Sequence, residues 1–129
     1  MKKYIGTKLV QATPAIRKGG KVYLPTDAIP RTMEQVEEGY KVVYEDGYES
    51  WSPKDVFEKA YKVADTFKDR LHIEQQDLAE KLSKLCAFVD TPKFEEVVKD
   101  EHQRDLLLQQ RDYMGEYLNI LTQRIKSLE

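Results

Sequence analysis

The chain has 129 residues, 40% of them hydrophobic and 34% charged, with a formal net charge of -2. That length fits one domain, or a small head with a helical stalk, and that charge excludes a general nucleic-acid binder, which carries a basic face. The single cysteine, Cys86, rules out an internal disulfide and suits a cytosolic setting, and no apolar run is long enough to span a membrane.

Residues 3–12 (Lys-Tyr-Ile-Gly-Thr-Lys-Leu-Val-Gln-Ala) read as a strand that Thr13-Pro14 ends. Arg17-Lys18-Gly19-Gly20 reads as a turn, and Val22-Tyr23-Leu24 as a short strand before Pro25. Pro30 interrupts the next stretch, and Glu34–Glu38 reads as one helical turn or a loop. Tyr40–Glu45 and Tyr48–Trp51 then flank Asp46-Gly47. That pair predicts a tight hairpin with positive φ at both turn positions. Tyr40, Val42 and Tyr44 share one face of it, and Trp51 closes it against the sheet.

Ser52-Pro53-Lys54-Asp55 has the form of a capping box with proline at the first helical position. The helix it starts is expected to run to about Val63 or beyond. Val56, Phe57, Ala60, Tyr61, Ala64 and Phe67 would be its buried stripe. A second helix, about 71–88, carries Leu71, Leu78, Leu82, Leu85 and Val89 on a heptad seam with Gln75 as its polar member. His72 and Glu74 face outward on that register. The segment 90–100 breaks the period, with a stop at Thr91-Pro92 and a short helical turn around Phe94, Val97 and Val98. The last helix, about His102 to Leu128, places Leu107, Met114, Leu118, Leu121, Ile125 and Leu128 on a matching seam, so the two helices form an antiparallel αα-hairpin.

That seam has one charged member, Arg111. A guanidinium between helices is costly unless an anion meets it. The anion is a carboxylate of this chain, one of a partner subunit, or a ligand phosphate. Tyr113, Tyr117, Leu106 and Leu108 lie off the seam, and a homo-oligomer in which hairpins pack together would cover them. The fold class is therefore α+β. A small antiparallel sheet with one packed helix spans residues 1–68, and a helical hairpin for assembly and binding spans 69–129.

Catalysis finds little support. No HExxH, CxxC, GxSxG, P-loop or GxGxxG occurs, and one cysteine with two distant histidines makes no metal cluster. No cofactor and no catalytic residue is expected. Binding finds more. Phe88 ends one helix near the point where the next begins, and Arg104 and Arg111 lie in that helix's first turns. An aromatic face can stack a base, and guanidiniums beside a helix start can hold phosphate. The competing reading makes Phe88 part of the core and pairs the arginines with Glu74, Asp77, Glu80 or a neighbouring subunit. Arg31, on a loop, is a further candidate for completing a pocket across a subunit interface.

Two stretches carry a resemblance. Tyr4-Ile-Gly-Thr-Lys-Leu, with Gly39-Tyr-Lys-Val-Val-Tyr-Glu-Asp-Gly-Tyr-Glu-Ser-Trp-Ser-Pro-Lys-Asp-Val-Phe-Glu-Lys-Ala-Tyr61, resembles an N-terminal module of small phage and prophage proteins. Lys81–Thr91 and Gln110–Ile125 are similar to the helical hairpin of phage anti-defence sponges. The combination looks like the first Thoeris anti-defence family. The resemblance implies an oligomeric, non-catalytic protein of the host bacterial cytoplasm. Such a protein sequesters the cyclic ADP-ribose isomer that signals infection in the Thoeris system; some related hairpins bind cyclic oligonucleotides. It also implies that Phe88 stacks on the base and that Asp90 and Thr91 meet ribose hydroxyls in pockets between protomers. Relatives often carry an apolar residue where Arg111 stands. An oligomeric phage adaptor without a ligand, and an enzyme that cleaves the signal, are the alternatives.

Overall fold

The first strand runs through the position where the sequence reading ends it. In the computed structural model, which describes residues 1–129, β1 is Gln11–Lys18, β2 Lys21–Tyr23, β3 Val36–Val43 and β4 Glu49–Pro53. They form one antiparallel sheet in the order β2-β1-β3-β4. Residues 1–10 join no strand. Gln11 pairs with Val43 and the chain then turns back, so nothing stands opposite the residues before Gln11.

Pro14 sits inside β1 for a related reason. Gly19 and Gly20 have φ of 59° and 78°, and the Lys18–Lys21 pair that flanks them closes a two-residue hairpin. A closing pair of that kind is hydrogen-bonded, so β1's even-numbered residues direct their backbone groups toward β2. Pro14 shares that parity. Because β2 pairs only with residues 16–18, proline's missing N–H falls on an open edge.

Two other sequence expectations change. Val36, Glu37 and Glu38 belong to β3 instead of a helical turn or loop: Glu37 pairs with Arg17 across the sheet and binds its guanidinium at 3.0 Å. At the second hairpin only Gly47 has positive φ, at 87°. Gly47 N–H donates to Tyr44 O and Tyr44 N–H to Tyr48 O, both at 2.9 Å. That is a three-residue loop with glycine at a bulge, which leaves Asp46 in ordinary backbone space and its carboxylate free to accept from Tyr48 N–H.

On one face of the sheet Tyr40 stacks on Phe57 of α1 (Lys54–Ala60) at 4.3 Å, and Phe57 stacks on Tyr61 at 5.0 Å. On the other face Trp51 lies over Gly39, donates Nε1–H to Ala15 O at 2.9 Å, and carries Arg17 above its ring at 4.3 Å. Trp51 thus closes the hairpin as expected. The capping box at Ser52 does not form. Ser52 is paired with Tyr40 in the sheet, the cap position falls to Pro53, and no side chain caps the helix. The helix also stops at Ala60 instead of continuing to Val63, with Tyr61 extended. Phe67 therefore leaves its stripe, and Val56 is exposed.

The chain divides into two units, Met1–Lys62 and Val63–Glu129. The second is helical: α2 (Phe67–Val89), α3 (Lys93–Val97) and α4 (Glu101–Ser127). α2 begins four residues before the predicted start because Thr66 and Asp69 form a reciprocal capping box. Both predicted seams meet. Leu71, Leu121 and Ile125 form the buried core with Leu78 packed on it, and Gln75 Nε2 donates to Thr122 Oγ1 at 3.0 Å. Burying each such side chain stabilises by about 1.5–3 kcal/mol. Leu128, assigned to the seam, is exposed at the helix end, and His72 is half-buried instead of outward. The protein is α+β, a small antiparallel sheet with its helix followed by a long helical hairpin.

Candidate ligand-binding site

The pairing of Leu71 and Gln75 with Leu121, Thr122 and Ile125 sets the start of α2 beside the end of α4. The end of α2 therefore meets the start of α4, and α3 bridges them. Phe88, in the last turn of α2, is half-buried and meets Phe94 of α3 edge-on at 5.5 Å. Phe94 itself is buried. An edge-to-face pair leaves one ring supported and its partner's outer surface open. Here Phe94 is the support and Phe88 the ring that keeps exposure.

The link after Phe88 is a tight stop. Thr91 N–H and Oγ1–H both donate to Phe88 O, at 3.1 and 2.7 Å, and Phe94 N–H donates to Thr91 O. Asp90 caps α2 with an exposed carboxylate. Asp100 caps α4 by accepting from His102 N–H at 3.0 Å, which puts a carboxylate on a helix start otherwise suited to an anion.

Arg104 occupies an inward position of the α4 seam, in register with Leu107 and Arg111; the sequence reading placed it only near the helix start. Its Nη1 donates to Val98 O at 2.8 Å and Lys99 O at 3.0 Å, pinning the link to α4. Its other guanidinium donors have no partner in the protomer. Arg111 is half-buried on the same seam, about three turns before Thr122 and so level with Leu85 and Cys86. Its Nε and Nη2 reach Asp112 Oδ1 at 3.3 Å, while Glu80 pairs with Lys84. The anion that meets Arg111 is thus its sequence neighbour. A partly exposed pair at that length contributes at most about 1 kcal/mol, so a phosphate can displace it.

Arg31 lies in the other unit, exposed in the stretch between β2 and β3. Phe88, Asp90, Thr91, Arg104 and Arg111 all belong to the helical unit, the first four within its α2–α3–α4 corner. The role of Arg104 at the link was not legible in the sequence, although its three-and-four spacing to Leu107 and Arg111 was a usable signal. Arg124, in the last turn of α4, sits over the Phe67 ring at 5.8 Å.

The sheet unit holds a cavity of ≈ 420 Å³ whose walls include Ile16, Tyr23, Leu24, Ile29 and Tyr40, a feature without a sequence signature because its walls come from separate segments. At its rim the Tyr40 hydroxyl donates to Glu58 Oε1 at 2.9 Å. That bond, with some desolvation, holds the phenol above its ordinary titration range. No group of His, Cys, Asp and Glu side chains is placed to hold a metal ion, and no helix is long and apolar enough to cross a membrane.

Residues 65–127 match the family model Sequestin, a range that takes in the whole of α2, α3 and α4. This helical unit is similar to the Sequestin family. Sequestin is the family of Thoeris anti-defence sponges, the group the sequence resembles. The Sequestin match covers every candidate residue except Arg31. No curated protein and no solved structure matches the chain.

Proposed function

We propose that this protein is a non-catalytic sponge that sequesters glycocyclic ADP-ribose, the signal of the bacterial Thoeris system, in the host cytoplasm, with cyclic oligonucleotides as a related ligand class. The observation that carries the reading is the Sequestin hairpin with a half-exposed aromatic and incompletely paired guanidiniums at one corner. Phe88 stacks on the base, with Phe94 holding its edge. Asp90 accepts from ribose hydroxyls and Thr91 Oγ1 offers its remaining lone pair. The free donors of Arg104, and Arg111 once released from Asp112, meet the pyrophosphate.

One hairpin offers only one wall of such a site. Leu106, Tyr113, Tyr117 and Ile120 form an exposed apolar stripe on α4, at 41%, 68%, 44% and 52% exposure, apart from the seam. A second hairpin packed on that stripe makes a homo-oligomer and encloses the ligand between protomers. Arg31 is then available to reach the pocket from a neighbouring copy. Enclosure slows release more than it slows capture, which is what a sponge needs.

The test incubates purified protein with glycocyclic ADP-ribose, removes free ligand, denatures the protein and analyses what is released. Intact ligand from the native protein, and its loss in Phe88→Ala and Arg104→Ala, supports the reading. Converted ligand points instead to an enzyme. No retained ligand and no product, repeated with cyclic di- and trinucleotides, leaves the oligomeric phage adaptor. That alternative predicts oligomers without a ligand and carboxylates of a neighbouring subunit around Arg111.

A further inference from the structure

We infer that residues 2–12 form one continuous strand edge that pairs antiparallel with the same residues of a second copy, in a two-fold ladder centred on Thr7. The segment 2–10 leads into β1 without a turn or bend. It is rich in strand-forming residues, yet Tyr4, Ile5 and Leu9 stand 88%, 94% and 68% exposed, and no strand of its own chain lies opposite. An unpaired, apolar extended segment is a template for another chain's backbone.

The occupant follows from the register. Centring on Thr7 sets Ile5 opposite Leu9 and Tyr4 opposite Val10, the kind of apolar and aromatic pairing that stabilises ladders. Lys8 then meets Gly6, Lys3 meets Gln11 and Lys2 meets Ala12, so no lysine faces a lysine. The last two pairs need a free edge on β1. That edge exists, since β3 occupies one side of Gln11 and Ala12 while β2 begins its pairing only at Ile16. The ladder ends before Pro14, whose missing N–H faces that same edge. The hydrogen-bonding parity set by the Lys18–Lys21 pair makes the even residues the bonded ones, so Thr7 meets Thr7 as a non-bonded pair with Cα atoms about 4.5 Å apart. This interface lies in the sheet unit and does not depend on the ligand.

The test places cysteine at Thr7 in full-length protein carrying Cys86→Ser, under mild oxidation. Thr7→Cys gives a disulfide-linked dimer as the main product. Lys3→Cys gives none, because two copies of Lys3 lie roughly 27 Å apart along the ladder. Lys3→Cys combined with Gln11→Cys restores cross-linking. Amide exchange in the protein with its native arm shows slowed exchange at Tyr4, Gly6, Lys8 and Val10. Absence of the Thr7→Cys dimer, or equal cross-linking by Lys3→Cys, overturns the proposal. So does protection of the arm without cross-linking, which would mean that it folds onto its own sheet.

Discussion

Gly39→Ala should unfold the sheet unit far more easily than the native chain. Gly39 is buried at the crossing of β1, β3 and β4, paired with Ala15 on one side and Pro53 on the other. A Cβ there would collide with Ser52 O and come within 2.5 Å of the Trp51 ring. The ring cannot retreat without breaking the Nε1–Ala15 O bond and exposing Ala15, which is 4% accessible. The carbonyl cannot retreat without opening the β3–β4 ladder. Overpacking of this kind costs about 1–3 kcal/mol, and the lost indole hydrogen bond adds about 1 kcal/mol. A total of about 2–4 kcal/mol, with a urea slope of ~1 kcal/mol per M, moves the midpoint by roughly 2 M or more. Trp51 is the only tryptophan, so its emission reports this site alone. An unchanged midpoint with unshifted native emission would refute the claim that the indole and the Ser52 carbonyl exclude a side chain at residue 39.

The opposite outcome is expected at Gly115, which sits inside α4 with no atom near an added Cβ. Gly115→Ala should stabilise the helical unit by about 0.5–1 kcal/mol in thermal denaturation followed by circular dichroism. Leu121→Ala empties the centre of the hairpin core, where Leu121 is 0% exposed, and should lower stability by about 2–5 kcal/mol in the same assay. The Tyr40 phenol, held above 10.0 by its bond to Glu58, makes a contribution to stability that is present below the ordinary tyrosine range. That contribution is lost as pH rises through the elevated value; Glu58→Gln should bring the late-titrating phenol back toward the others in an ultraviolet difference titration. Arg104→Lys should loosen the link, since one ammonium on a shorter stem does not reproduce the two carbonyl bonds and the free fork together. Amide exchange at Val98–Asp100 should speed up, and glycocyclic ADP-ribose retention should fall.

Periodicity alone determined the helical hairpin. Leu71, Gln75, Leu78 and Leu82 against Leu118, Leu121 and Ile125 write two seams whose spacing admits one antiparallel partner, and helix sides depend only on sequence separation. The Tyr40–Trp51 hairpin was legible for a similar reason, since alternation and a glycine turn are local. The Thr66–Asp69 capping box was equally local and readable, though the stripe ending at Phe67 masked it. Tertiary structure alone decided the rest. Strand-like residues 3–10 lack a ladder partner in their own chain, whereas Glu37 and Glu38, poor strand formers, have one through β1. Ser52 carries a capping side chain, yet its pairing with Tyr40 outranks the cap. The anions and carbonyls that hold Arg104 and Arg111 depend on where α3 folds the link. A strand needs a neighbour and a charge needs a counterpart, and chain topology chooses both.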